Sequence, residues 1–147
     1  MTKLALRRCT PVKKGSKPIS AGIARSLLNQ VNNKWRLDPQ AKFIEREFDF
    51  TDFRRTIEFV NAVAWVANGQ DHHPDLEVNY GCCRVRYSTH AAGGLTVNDF
   101  ICAAKIDALF SDEKLKISPS SPKRQHPASP AAVDESPSIV NRETLSE

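Results

Sequence analysis

Apolar positions along the chain change period several times, and each change marks an element. Ser20 stands where it can cap a helix to about Asn32, with Ile23, Leu27, Leu28 and Val31 at helical spacing on one side. Trp35 to Leu37 reads as a short strand ended by Asp38-Pro39. From Phe43 to Phe50 the period falls to two: Ile44, Phe48 and Phe50 share a face with Arg46 as the exception, while Glu45, Glu47 and Asp49 share the other. Thr51 is placed to cap a long helix to about Asn68, whose Phe53, Ile57, Val60, Val63, Ala64 and Ala67 form a broad apolar stripe. After Gly69, Leu76, Val78 and Tyr80 alternate with polar residues, and beyond Gly81 so do Cys83, Val85, Tyr87 and Thr89, the pattern of an antiparallel strand pair. Gly93-Gly94 breaks the chain, and Thr96-x-x-Asp99 opens a last helix with Phe100, Ile101, Ala104 and Ala108 inward.

The order is therefore α-β-β-α-β-β-α. An α+β fold, with a single four-stranded antiparallel sheet and three helices packed on one face, buries every one of these apolar surfaces. It leaves the other sheet face to solvent, ligand or a partner subunit.

Charge divides the chain into three parts. Residues 1–18 carry six Lys and Arg and no acid, residues 19–110 carry ten against eleven acids, and residues 111–147 carry five against six. The net +4 thus sits in a basic amino-terminal arm at 1–18, and the nearly neutral body at 19–110 does not offer a basic face for direct nucleic acid contact. Residues 111–147, with five prolines and eight serines, read as a disordered tail. Four Ser-Pro steps at Ser118, Ser121, Ser129 and Ser136 are candidate phosphorylation sites set against a plain solvated extension. No apolar run approaches a membrane span. Cys9, Cys82, Cys83 and Cys102 lack C-x-x-C spacing, which points to a reducing compartment. The start MTKLALRRC lacks the apolar core of a secretory signal, and a mitochondrial presequence would have to end before Pro11. The cytoplasm is the expected location, with the nucleus left open.

The histidines carry the candidate chemistry. His72 and His73 are adjacent in the turn after the long helix, in DHHPDLEVNY, and His90 ends the last strand. A reversal near Gly81 lays residues 72 and 90 side by side, and Pro74 restricts His73 to extended backbone angles. Three readings fit the cluster. The residues can be polar turn positions, three imidazoles can form a catalytic zinc set, or the rings can act as metal-free acid and base in an elimination that needs both. Asp99 has a structural reading as the acid of a helix start and a second as a site residue. Asp71 and Asp75 are turn residues able to raise a neighbouring histidine's basicity. Arg84 and Arg86 share a strand face with His90 and suit a solvated or subunit-facing role.

The run Asn68-x-x-x-His72-His73-Pro74, then Tyr80, His90 and Asp99, resembles the signature of the pterin-4a-carbinolamine dehydratases, also called dimerisation cofactors of a homeodomain transcription factor. Phe50-x-x-Phe53, Thr89-His90, Gly93-Gly94-Leu95-Thr96 and the helix from Asp99 to Ile106 resemble the family too, as does the leader CTPVKKGSKPIS. The resemblance covers about residues 20 to 110. It implies a carbon–oxygen lyase that removes water from 4a-hydroxytetrahydrobiopterin to give the quinonoid dihydropterin, in recycling the cofactor of an aromatic amino acid hydroxylase. It implies His72 and His90 as the acid/base pair, His73 holding the ring or the proton network, and Asp99, Pro74, Asp71 and Thr89 supporting. It implies no metal and no cofactor, the pterin being the substrate, and a homodimer or homotetramer. Its alternative is a non-catalytic dimerisation cofactor or transcriptional coactivator module. Two positions depart from the pattern: Asn68 where many members carry an acid, and Leu76 where an aromatic is common.

Overall fold

The computed structural model describes residues 3–111. The Ser/Pro-rich segment expected at 111–147 lies outside the described residues except for Ser111. Three helices, α1 (Ala21–Leu28), α2 (Phe53–Gln70) and α3 (Val97–Ser111), accompany four strands, β1 (Arg36–Leu37), β2 (Ile44–Asp49), β3 (Asp75–Val78) and β4 (Cys82–Tyr87). The strands form one antiparallel sheet in the order β1-β2-β4-β3, so the expected α-β-β-α-β-β-α architecture is present. Single 3-10 turns at Leu4–Leu6 and His90–Ala92 are added to it.

The two faces of the sheet differ as the alternation requires. Ile44, Arg46 and Phe48 of β2 and Cys83, Val85 and Tyr87 of β4 are buried, in register as Ile44 with Tyr87, Arg46 with Val85 and Phe48 with Cys83. On the opposite face Arg84 donates to Glu47 at 3.1 Å and Glu77 at 3.0 Å, and Arg86 donates to Glu45 at 2.8 Å. The two arginines are thus placed in cross-strand ion pairs on the outer face. Exposed pairs of this kind are screened by solvent and contribute little to stability.

Arg46, the exception in the β2 pattern, is explained by α3. Its Nη1 donates to Asp107 Oδ1 at 2.7 Å, and its guanidinium lies 4.2 Å from the centroid of the Phe48 ring. Asp107 also accepts from Trp35 Nε1 and from the backbone N–H of Asn32, both at 2.8 Å. One carboxylate therefore ties α3 to β2 and to the segment between α1 and β1. Truncating it leaves a largely buried guanidinium and an indole N–H without their acceptor, so Asp107→Ala is expected to cost about 2–4 kcal/mol. Urea unfolding of wild type and variant measures the difference.

Several boundaries move from the sequence expectation. α1 ends at Leu28 rather than near Asn32, and the exposed Ile23 leaves Ala24 as the buried centre of its inner face. Asp52, not Thr51, caps α2: its side chain accepts from the N–H of Arg55 at 2.9 Å. The helix then starts later, and its buried face is Thr56, Phe59, Val63, Val66 and Ala67, with Phe53 and Ala64 exposed. α3 is enclosed over more than its expected stripe, with Phe100 through Ala104 all buried. Among the described residues no helix is long and apolar enough to cross a membrane.

The amino-terminal residues pack against this body. Leu4 and Ala5 are buried in the core, and Lys105 Nζ donates to the carbonyl of Ala5 at 2.8 Å. Asn98 holds the next stretch from both sides, accepting from the N–H of Thr10 at 3.1 Å and donating to its carbonyl at 2.7 Å. Gly15 N–H bonds the Ala91 carbonyl at 3.1 Å, and Ile19 N–H the Leu95 carbonyl at 2.9 Å. The arm is a strap across the ends of α3 and the His90 turn.

Candidate active site

The end of α2 delivers the histidine pair. Asp71 takes a left-handed conformation with φ 49° and ψ 41°, one that Asp tolerates better than most residues. Its N–H bonds the Asn68 carbonyl and that of His72 bonds the Ala67 carbonyl, at 3.3 and 3.1 Å. These are the paired reversed bonds of a Schellman ending. The helix therefore stops sharply and His72 turns back over its last turn. Pro74 follows, and β3 starts at Asp75. β3 and β4 pair with Asp75 opposite Arg86 and Val78 opposite Cys83, one residue off a reversal centred on Gly81. After β4, Thr89 pairs with Gly94 across a turn in which Gly93 has φ 67°, and His90 sits in the 3-10 turn between them.

His72, His73 and His90 line one cavity of about 540 Å³, together with Asp71 and Thr89. Asp99 is wholly buried behind it, and Pro74 is not among the lining residues. The expected site residues are otherwise brought together by the ends of α2, β4 and α3. Sequence reasoning missed the remaining wall, which comes from Arg8, Cys9, Thr10, Pro11 and Val12 of the arm and from Gly69, Gln70, Ser88, Ala91 and Asn98. The only sequence signal for it was the resemblance of the CTPVKK leader, which carried no assignment to the site.

His72 Nε2 lies 2.6 Å from Asp99 Oδ1. The second oxygen, Oδ2, accepts from the Thr89 hydroxyl at 2.9 Å and from the Thr96 N–H at 2.8 Å. Thr89 spends its one proton on Asp99, so it accepts from the Thr96 hydroxyl at 2.8 Å. With two donors on Oδ2, the ionised carboxylate acts as an acceptor toward His72. That places the His72 proton on Nε2 and leaves Nδ1 as the nitrogen able to reach a ligand. Asp99 is thus both the acid of the α3 start and the orienting partner of His72.

Burial by itself would lower the His72 pKa, but the hydrogen bond to Asp99, the Asp99 charge, Cys9 and Asp71 outweigh it and hold the imidazole above its ordinary value. Tyr87 stacks on the ring at 5.4 Å between centroids and 20° between planes. Burial pushes the Tyr87 phenol far up, so it stays protonated at neutral pH. His73 is exposed and its Nε2 lies 3.1 Å from Asn68 Oδ1. The Asn68 amide oxygen accepts from His73 in this contact. Leu76 is half-buried opposite Val85 in the sheet. Among the described residues no group of three or more His, Cys, Asp or Glu is placed to hold a metal ion.

Comparison with known proteins gives the family that the chain resembles. The family model for pterin 4 alpha carbinolamine dehydratase matches residues 17–109. A Legionella pneumophila protein named for pterin-4-alpha-carbinolamine dehydratase is 56% identical over 88 residues, covering 60% of this chain and 78% of the relative. One from Nitrosomonas eutropha is 50% identical over 107 residues, covering 73% and 93%. A crystal structure of a transcriptional coactivator/pterin dehydratase from Brucella melitensis superposes with a TM-score of 0.59 at 27% identity, over 63% of this chain and 98% of that one.

Proposed function

The chain belongs to the pterin 4 alpha carbinolamine dehydratase family, and on that footing we propose that it dehydrates 4a-hydroxytetrahydropterin to the quinonoid dihydropterin. The observation that carries the reading is the 2.6 Å contact between Asp99 and His72 at the wall of a cavity shared with His73 and His90.

The reaction breaks the C4a–O bond, removes the proton on N5 and leaves a C4a–N5 double bond plus water. It needs one group to protonate the departing hydroxyl and another to take the N5 proton. His72 suits the role of acid, because Asp99 fixes its Nε2–H and a raised pKa keeps Nδ1 protonated to higher pH than a free imidazole. His90, exposed at the same cavity, is assigned the N5 proton. His73, held by Asn68, borders the ligand and orients it. No residue in this scheme changes oxidation state, so the pterin is substrate and no further cofactor enters. In the cell the substrate would come from a pterin-dependent aromatic hydroxylase, and the product would return to the tetrahydropterin pool.

The Brucella relative's description also names a coactivator. A module that only bridges proteins would not need a buried carboxylate with donors on both oxygens behind a histidine, and this favours the enzyme reading. The test generates the 4a-carbinolamine with a hydroxylase and follows its loss by absorbance. Acceleration by the protein over the uncatalysed rate is the expected result. An unchanged rate across a range of protein concentration overturns the proposal.

A further inference from the structure

Four cysteines are free, and two of them meet where the arm crosses α3. Cys9 Sγ lies 3.6 Å from Cys102 Sγ, although 93 positions separate them in the chain. Cys9 is half-buried and lines the cavity, whereas Cys102 is fully buried. Neither is assigned a proton-transfer step in the dehydration. We propose that Cys9 and Cys102 form a thiol pair oxidisable by peroxides, whose disulfide staples the amino-terminal arm to α3 at the wall of the pocket.

The chemistry runs in a fixed order because only Cys9 faces the cavity. Its thiolate attacks one oxygen of the peroxide, the O–O bond breaks, and the other oxygen leaves and takes up a proton. Cys9 sulfur, oxidised by two electrons, is then a sulfenic acid, and the peroxide is reduced to water or alcohol. Cys102 sulfur attacks the Cys9 sulfur, the S–S bond forms, and the hydroxide departs as water with the proton of Cys102. With Cys9 as the thiolate, and so able only to accept, Cys102 is the donor across the 3.6 Å contact and its proton points at the reacting sulfur.

The surroundings favour Cys9 as the first thiol to react. The hydrogen bond from Cys102 holds its pKa below the ordinary value, and the positive charges of His72 and Lys105 add to this, against burial and Asp99. The pKa of Cys102 is pushed up by the same hydrogen bond and by burial. Burial also pushes Cys83 up to about 11, which makes it inert at neutral pH. A disulfide needs the sulfurs about 1.5 Å closer than their present 3.6 Å. Cys9 lies on non-helical backbone between the Leu4–Leu6 turn and Thr10, so the arm can supply that movement while α3 stays in place.

The test uses the reduced full chain exposed to hydrogen peroxide, then digested without reductant for mass spectrometry. A peptide pair joining Cys9 to Cys102, lighter by two hydrogens and parted by dithiothreitol, is expected, with two of the four free thiols lost. In Cys102→Ala, Cys9 should stop at a sulfenic acid trapped by dimedone. Should that variant not fold, Cys9→Ser, altered on the arm, is expected to keep Cys102 as a thiol under the same treatment. Four intact thiols in treated wild type, Cys9 driven to sulfinic acid with no linked peptide, or a first loss at Cys82 would each overturn the proposal.

Discussion

Replacing His72 by alanine is expected to lower dehydration turnover by roughly 100- to 10,000-fold, the range for a single general acid or base. His90→Ala should fall in the same range, because water can stand in for one proton-transfer group only at the cost of a less favourable pKa and geometry. The loss belongs in kcat: the proton is in flight in the transition state, and ground-state pterin binding draws on the whole cavity. His73 gives the contrast. Its ring is exposed and tied to Asn68 at 3.1 Å, so His73→Ala should act mainly on KM. The double variant His72→Ala/His90→Ala should lose less than the product of the single losses, since removing either half of a concerted proton transfer already disables the other. Stopped-flow absorbance of the 4a-carbinolamine, with circular dichroism to confirm folding, measures all four. An intact kcat in both His72→Ala and His90→Ala would sink the acid/base assignment.

The sequence carried the architecture because the strand faces alternate cleanly. Glu45, Glu47 and Asp49 against Ile44 and Phe48 leave one way to orient β2, and the single violation, Arg46, cannot be interpreted until Asp107 is seen on α3. That contact spans 61 positions, and no local period encodes it. α2 was harder to orient. Its apolar residues cover much of the helix surface, so the true inner face, with Thr56 and Phe59, differs from the expected one by about a single position. Thr56 belongs inside because its hydroxyl shares its one proton between the carbonyls of Asp52 and Tyr80, at 3.0 and 2.9 Å, a satisfaction invisible in a hydropathy pattern.

The site was legible to the extent that it depends on the turn ends. His72, His73 and His90 meet because a short antiparallel pair returns the chain to the end of α2, and a one-residue error in register did not change that. The arm's share of the wall was not legible. Its cations and prolines suggest a solvated leader, while what holds it down is a set of contacts to Gln70, Ala91 and Asn98 that lie far along the chain, 61 positions away for Gln70 and 88 for Asn98. The closeness of Cys9 to Cys102 follows from the same contacts and was hidden for the same reason.

Asp99→Asn is expected to reduce turnover by about 100-fold or more while leaving the protein folded, and to change the pH profile in a specific direction. The amide keeps an oxygen for the Thr96 N–H and the Thr89 hydroxyl, so its NH2 group then faces His72 Nε2. A donor there requires Nε2 to accept, which moves the neutral ring's proton to Nδ1 and opposes the imidazolium. The pKa of His72, held above its ordinary value in the wild type chiefly by the Asp99 hydrogen bond and charge against burial, should therefore fall. With His72 as the acid, wild-type kcat declines as pH rises through that raised pKa, and in Asp99→Asn the same decline should begin at lower pH. Stability follows the same linkage. A histidine whose folded pKa is raised stabilises the fold fully below its unfolded value of about 6.5, and that contribution is lost as pH rises through the folded value. The stability gap between wild type and Asp99→Asn should thus be widest in mild acid and narrow toward alkaline pH. Urea unfolding from about pH 5.5 to 9, a range that brackets the ordinary histidine pKa, measures it. A merely structural Asp99, capping α3 through Thr96, would give a gap flat across this range and an unshifted kcat profile, and that pair of results would remove Asp99 from the proton network.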